Sequence, residues 1–123
     1  MQYILLIYGN EAAASNATPE QRGAMMAAYG GFTKSIREAG NHIAGDGLQP
    51  SATATTVRVR DGRTTTTDGP FAETREQLGG YYLINAADLD EAIAIAARIP
   101  GAAFGCIEVR PVMVLPPEYR GQS

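Results

Sequence analysis

Two short segments of this sequence are apolar at both even and odd positions, and they constrain the fold more than any other feature. They are residues 3–8 (YILLIY) and residues 80–85 (GYYLIN). Side chains alternate between the two faces of a strand, so a strand that is apolar at both parities needs cover on both sides of its sheet. The fold must therefore supply apolar cover for two faces.

The first helix is predicted from a capping signal and an apolar stripe. Thr18, Pro19 and Gln21 supply an N-cap, a proline at the first helical position and a capping box. The stripe that follows consists of Met25, Tyr29, Phe32, Ile36 and Ala39, and Gly40 ends the helix. Gly30 and Gly31 lie in its middle, where they would allow a neighbouring element to approach closely.

A second helix is predicted from Asp88, which is followed three residues later by Glu91, to Pro100-Gly101. The side chains expected to face inward are Leu89, Ala92, Ile93 and Ala96. Residues 106–113 alternate and predict the last strand. Cys106 at its start is expected to be a small buried residue rather than a nucleophile, because no neighbour obviously lowers its pKa.

The middle of the chain predicts a strand and a hairpin. Residues 42–48 form the strand, with Gly45 and Gly47 on one face and His42, Ala44, Asp46 and Leu48 on the other. The two glycines leave either a groove for a ligand or room for the helix that contains Gly30 and Gly31. Residues 55–60 and 63–67 flank Asp61-Gly62, a dipeptide that suits a type I′ turn, and predict a polar hairpin that projects from the core.

The element order predicts an α+β fold, a ferredoxin-like βαββαβ domain with an inserted β-hairpin. Residues 1–114 would form this single domain, and residues 115–123 a proline-containing tail. Two helices cover only one face of such a sheet, so we expect a second subunit, most simply across a two-fold axis, to cover the other. Glu108 and Arg110 would point toward that second face, as an ion pair or as the lining of a pocket.

Composition excludes several classes of function. Ten basic and thirteen acidic residues give a net charge of −3, which argues against a nucleic-acid partner. One cysteine and one histidine predict neither an internal disulfide nor a zinc site, and we expect a cytoplasmic location. Residues 3–8 are too short for a membrane span, and no glycine fingerprint for a dinucleotide is present, so neither a membrane partner nor a redox cofactor is expected.

Residues 68–84 (DGPFAETREQLGGYYLI) hold the densest mixture of charge, glycine and aromatic side chains. Asp68 is a candidate acid or base, or a residue that fixes the turn through its own backbone contacts. Arg75 is a candidate anion ligand, or part of a solvated linker. Further candidates for the lining of a ligand pocket are Tyr8, Tyr29, Tyr81 and His42, and each of these also suits a packing or surface role.

The block that begins with DGPF at residues 68–71 and continues AETREQLGGY resembles the YCII-related proteins, specifically the group named for its DGPF motif. The segments YILLIYG, MMAAYGGFTKSIREAG, GLQPSATATTVRVRDG and IEVRPVM resemble the same group. This resemblance implies a dimeric α/β-barrel type of ferredoxin-like fold in the bacterial cytoplasm, and an association with extracytoplasmic-function sigma factors. Some relatives carry a proposed His-Asp active site. The first helix here has Met25, Met26 and Tyr29 and no histidine.

Three hypotheses about function follow. The chain binds or transforms a small polar or anionic metabolite by acid-base chemistry, it is a regulatory module that docks a protein such as a sigma factor, or it retains only the dimeric scaffold of its relatives. The first is motivated by Asp68 and Arg75, which lie close to Gly79, Gly80 and Tyr81 in the sequence. The second is motivated by the projecting hairpin.

Overall fold

A computed structural model describes residues 1–121. The strands are β1 (Gln2–Gly9), β2 (His42–Gly47), β3 (Thr55–Arg60), β4 (Arg63–Asp68), β5 (Gln77–Asn85) and β6 (Cys106–Pro111). The helices are α1 (Glu11–Ser15), α2 (Pro19–Glu38) and α3 (Leu89–Ala97). Three short 3-10 turns lie at Ser51–Thr53, Pro100–Ala103 and Pro117–Tyr119. The expected tail, residues 115–123, extends beyond the part of the chain that the structure describes.

The main sheet has the strand order β2-β5-β1-β6, and all three of its strand pairs are antiparallel. This is the order of a ferredoxin-like domain, in which the first strand lies in the middle between strands from late in the chain. The hairpin β3-β4 forms its own two-stranded sheet. The predicted ferredoxin-like α+β fold with an inserted hairpin is confirmed.

The helix signals in the sequence work as predicted at both N-termini. The Thr18 side chain accepts a hydrogen bond from the backbone of Gln21, whose own side chain accepts from the Thr18 N–H, which completes a capping box. Asp88 caps α3 through the backbone N–H of Glu91 at 2.9 Å. Such caps satisfy backbone donors that a helix start otherwise leaves unpaired, and each typically stabilises by about 1 kcal/mol.

Both longer helices pack on one face of the main sheet, and the core lies between them and the strands. The side chains of Phe32 and Ile36 from α2, and of Ala92, Ile95 and Ala96 from α3, are buried there with Tyr3, Leu5, Tyr82 and Ile84. The prediction for α3 was wrong at two positions. Leu89 and Ile93 are 48% and 49% exposed, because Ile95 rather than Ile93 shares the buried side with Ala92 and Ala96.

The opposite side of the main sheet carries no helix within residues 1–121, and we call it the open face. The strand registers place on it Ile4, Leu6, Tyr8, Ala44, Asp46, Leu78, Tyr81, Leu83, Cys106, Glu108 and Arg110. Ile4, Leu6 and Leu83 form its apolar centre and remain partly exposed. As expected, β1 and β5 are apolar on both faces of the sheet, and helices cover only one of those faces.

An irregularity in the pairing of β2 changes which face one of its residues occupies. The register of β2 against β5 shifts between His42 and Ala44, so that His42 pairs with Ile84 while Ala44 pairs with Leu83. A one-residue shift moves a side chain to the other face. The predicted face of His42 was therefore wrong, since it lies on the helix side, with its ring centroid 6.3 Å from that of Tyr82.

The space above Gly45 is filled and does not form a groove, whereas a Cβ at Gly47 would meet no atom within 4 Å. A Cβ at Gly45 would lie 2.7 Å from Cδ1 of Tyr82, so the ring of that tyrosine fills the space above the strand. The alternative expectation is also wrong, because a Cβ at Gly30 or Gly31 would meet no atom within 4 Å. Gly45 therefore makes room for a side chain of the neighbouring strand rather than for a ligand or for α2.

The β3-β4 hairpin, which we call the hairpin arm, is almost entirely exposed. Asp61 and Gly62 at its tip have φ angles of 53° and 74°, as a type I′ turn requires. Of its twelve strand residues only Thr56 is partly buried. Val57 and Val59 are 59% and 58% exposed, which is unusual for two apolar side chains that share one face of a strand.

Candidate functional site

The segment that connects the hairpin arm to β5, residues 69–76, is called the motif loop here. Gly69 enters it with a φ of +98°, a conformation that glycine adopts without steric cost. Both backbone polar groups of Gly69 are hydrogen-bonded. The N–H donates to the Ala54 carbonyl at 2.7 Å, and the carbonyl accepts from Thr56 Oγ1 at 2.8 Å. The glycine of the DGPF sequence therefore fixes where the arm ends and the loop begins.

A cavity of about 400 Å³ lies against the motif loop. Its lining consists of Ser51, Ala52, Pro70, Ala72, Glu73, Thr74 and Gln77. Five of these seven residues belong to the loop or to the first position of β5. The sequence block that is densest in charge and glycine thus builds one wall of a recess with both polar and apolar lining, and the turn at Ser51–Thr53 builds the other.

Three hydrogen-bonded side chains fix the shape of this cavity. The Glu11 carboxylate accepts from the backbone N–H and from Oγ of Ser51, both at 2.7 Å. Gln77 accepts from the Glu11 N–H at 3.0 Å and donates to the Thr74 carbonyl at 2.5 Å. Sequence reasoning missed Glu11, Ser51 and Gln77, because their positions are 40 and 66 residues apart in the chain and carry no local pattern.

Asp68 and Arg75 lie at the two ends of this region but are not among the lining residues. Asp68 is the last residue of β4, pairs with Thr55 and is exposed. Phe71 is 81% exposed, so its ring does not desolvate the Asp68 carboxylate within this chain. Arg75 is also exposed, and no ion pair joins it to another of the described residues. The structure therefore gives Asp68 a defined backbone position and leaves its side chain in solvent.

Four of the other candidate residues lie on the open face. Tyr81 donates to Asp46 Oδ2 at 2.9 Å, and this hydrogen bond to a carboxylate, followed by the charge of that carboxylate, raises the pKa of Tyr81. Arg110 and Glu108 form an ion pair at 2.5 Å. Tyr8 pairs with Leu78 and Cys106 beside the register shift in β5. The polar groups thus flank the apolar centre of the open face at both edges.

The remaining two candidates, Tyr29 and His42, lie on the helix side of the sheet. The Tyr29 hydroxyl accepts a hydrogen bond from the Gly101 N–H at 3.2 Å. Burial raises the pKa of Tyr29, and the bond from Gly101 opposes part of that effect. The predicted site residues are therefore divided among the ends of the motif loop, the open face and the core side. They do not converge on one point.

Cys106 is exposed, which corrects the expectation that it is buried. Its thiol lies 3.7 Å from Glu76 Oε1. Desolvation and the carboxylates of Glu76 and Glu108 raise the pKa of the Cys106 thiol. Because the thiolate is the nucleophilic form, this environment makes the cysteine less reactive at neutral pH, in agreement with the expectation that it is not a nucleophile.

A second cavity, of about 260 Å³, is apolar and lies between α3 and β6, where Ile93, Ala97, Ile107 and Val109 line it.

Among residues 1–121, no three or more His, Cys, Asp or Glu side chains are grouped closely enough to hold a metal ion. Within the same residues, no helix has both the length and the apolar character needed to cross a membrane.

The strand order, the two covering helices and the inserted arm define a ferredoxin-like α+β domain. The model of the YCII-related domain matches residues 1–116, and the chain belongs to this family. The chain is also 38% identical over 119 residues to a protein of Rhizobium meliloti (strain 1021) described as uncharacterized protein R00369. That alignment covers 95% of this chain and 96% of the relative. The two proteins therefore match over nearly their full lengths.

Proposed function

We propose that this YCII-related domain is a cytoplasmic homodimer of the DGPF group that binds a small polar molecule in the motif-loop cavity. The observation that carries the proposal is the built wall of this cavity. Glu11, Ser51 and Gln77 come from three separate parts of the chain and are joined by hydrogen bonds, and Gln77 also binds the Thr74 carbonyl of the motif loop. Polar groups that are held in position before a ligand arrives bind it at a lower entropic cost.

The chemistry of the lining favours a neutral or cationic ligand over an anionic one. Glu73 contributes a carboxylate to the wall, and the Glu11 carboxylate lies behind Ser51. The motif loop contains a single basic residue, Arg75, and it is not part of the lining. A ligand rich in N–H or O–H donors would therefore be matched by acceptors. In an enzyme of this design, Asp68 is the proposed acid or base, although in the single chain its side chain is exposed and is not part of the lining.

A thermal unfolding screen against a panel of small amines, amides, polyols and organic acids tests this proposal. A ligand at one hundred times its Kd adds about 2.7 kcal/mol to the free energy of unfolding, which raises Tm by several degrees. The shift should be lost in Glu73→Gln and kept in Glu20→Gln, an exposed glutamate at the start of α2. Asp68→Asn should keep the shift, and should abolish turnover if the ligand is a substrate. A shift that survives Glu73→Gln unchanged would place the ligand elsewhere.

The homodimer is supported by the open face. Ile4, Leu6 and Leu83 form an apolar centre on a sheet that no helix of residues 1–121 covers, and contiguous apolar patches on soluble proteins commonly mark interfaces. Sedimentation at several concentrations measures the association directly. Leu83→Lys should produce monomers, because it places a charge at the centre of the interface.

The second candidate function, a regulatory module that docks a sigma factor, is favoured by the exposure of Val57 and Val59 on the hairpin arm. Pull-downs from a bacterial host lysate would compare two baits, the full chain and a chain whose arm is shortened but still ends in the Asp61-Gly62 turn. Recovery of a sigma factor by the full chain alone supports this function, and identical partner sets count against it.

A further inference from the structure

The hairpin arm has two chemically different faces. Cross-strand pairing places Val57 opposite Thr66 and Val59 opposite Thr64, so these four side chains share one face. The other face carries Arg58 opposite Thr65 and Arg60 opposite Arg63. The arm is therefore an amphipathic ribbon whose apolar face is exposed in the single chain.

A two-stranded ribbon of this kind is at best marginally stable alone in water. Its strand residues are exposed apart from Thr56, so no core of this chain holds the arm in place. The apolar face gains stability only when another surface covers it. We propose that the valine face of the hairpin arm packs against a second copy of this chain, so that each protomer clasps the other; this rests on the homodimer proposed above.

The area of the open face is the argument for a second copy of this chain as the surface that covers the arm. Four strands about 4.8 Å apart and six residues long form a patch of roughly 400 Å², so two stacked open faces bury roughly 800 Å². Stable interfaces bury about 1,200–2,000 Å². An arm face about 20 Å long and 10 Å wide, exchanged in both directions, brings the total to roughly 1,600 Å². The sheet alone is too small for a stable dimer, and the two arms supply the difference.

Sedimentation equilibrium of three proteins at matched salt tests the clasp. The variant Val57→Thr/Val59→Thr keeps the shape and the strand preference of the valines but adds hydroxyl groups. The control Arg58→Thr/Arg60→Thr introduces the same residue into the same strand on the opposite face. We expect the dimer Kd to rise about a hundredfold for the valine variant, because four apolar side chains are altered per dimer, and to change less than about threefold for the control.

The outcomes separate the clasp from the dimer itself. A wild-type dimer whose Kd is the same in the valine variant overturns the clasp and leaves the homodimer standing. A wild type that is monomeric at about 100 µM overturns both the clasp and the homodimer, and it indicates that a different protein covers the valine face of the arm. This outcome does not depend on whether the motif-loop cavity binds a ligand.

Hydrogen exchange in the wild type is an independent test, since it requires no substitution in the arm. Backbone amides of residues 55–68 should exchange slowly above the dimer Kd and quickly below it. Exchange that is equally fast at both concentrations overturns the clasp even if the valine variant loses its fold, because an arm packed on a partner cannot exchange like a free ribbon.

Discussion

Replacing Gly45 with alanine tests whether the glycine in β2 serves the packing of Tyr82. The added Cβ would lie 2.7 Å from Cδ1 of Tyr82 and 3.0 Å from the backbone oxygen of Tyr81. Carbon atoms in contact are normally about 3.5–4.0 Å apart. Either the ring or the strand must therefore move by close to 1 Å to admit one methyl group.

The ring of Tyr82 has little freedom to move. Its hydroxyl is hydrogen-bonded to Thr33 Oγ1 at 2.7 Å, and its edge packs against Phe32 with the ring centroids 5.1 Å apart. Overpacking of a well-packed core typically costs about 1–3 kcal/mol. Because both displaced atoms belong to fixed groups, we expect the upper part of that range, about 2–3 kcal/mol, or a fall in Tm of about 8–12 °C for a domain of this size.

Gly47→Ala is the matched control, since it makes the same substitution two residues further along the same strand. A Cβ there would meet no atom within 4 Å. The backbone conformation of Gly47 is one that alanine also adopts. The substitution should therefore leave the free energy of unfolding unchanged or raise it by about 0.4–1 kcal/mol, because alanine restricts the unfolded chain. Urea unfolding of both variants at one protein concentration measures the difference. Two variants that agree within about 0.5 kcal/mol would refute this account of Gly45.

Two further predictions concern single hydrogen-bonded groups. Tyr29→Phe removes the acceptor of the Gly101 N–H and should cost about 1–2 kcal/mol in urea unfolding. Burial raises the pKa of Tyr29, so the free energy of unfolding of the wild type should fall as the pH rises from about 10 through that raised pKa. The fall should be smaller in Tyr29→Phe. Equal alkaline stability profiles for the two proteins would contradict this prediction. Glu11→Ala frees Ser51 and should speed hydrogen exchange at residues 51–54, without the same effect on α3.

Local signals in the sequence were sufficient for most of the fold. The capping residues Thr18 and Asp88 located both long helices, and Asp61-Gly62 located the arm, because each depends on contacts within three residues. The short helix α1 was missed, since five residues are too few for a periodic pattern. The start of β5 was placed at residue 80 rather than Gln77, because Gly79, skipped in the pairing with β1, interrupts the apolar run.

The face of a strand residue and the shape of the cavity were harder to predict. Alternation assumes an unbroken register, and the shift between His42 and Ala44 breaks it, so His42 moved to the helix side. The cavity depends on Glu11 meeting Ser51 and Gln77 across the fold. No local pattern records a contact of that kind. The motif loop was identified from its composition, but Asp68, the acid directly before it at the end of β4, lies outside the lining that the fold assembles.

The central position of β1 has a consequence for how the chain is made. Tyr3 pairs with Ile84 on one side and with Pro111 on the other, so its partners leave the ribosome about 80 and 110 residues later. Loops of that length close slowly, and unpaired apolar strands are prone to aggregate while they wait. β1 is synthesised before both of its partners and is thus among the last strands of the sheet to be completed. Chaperones that hold nascent chains would act during that interval on the segment that later forms the middle of the sheet.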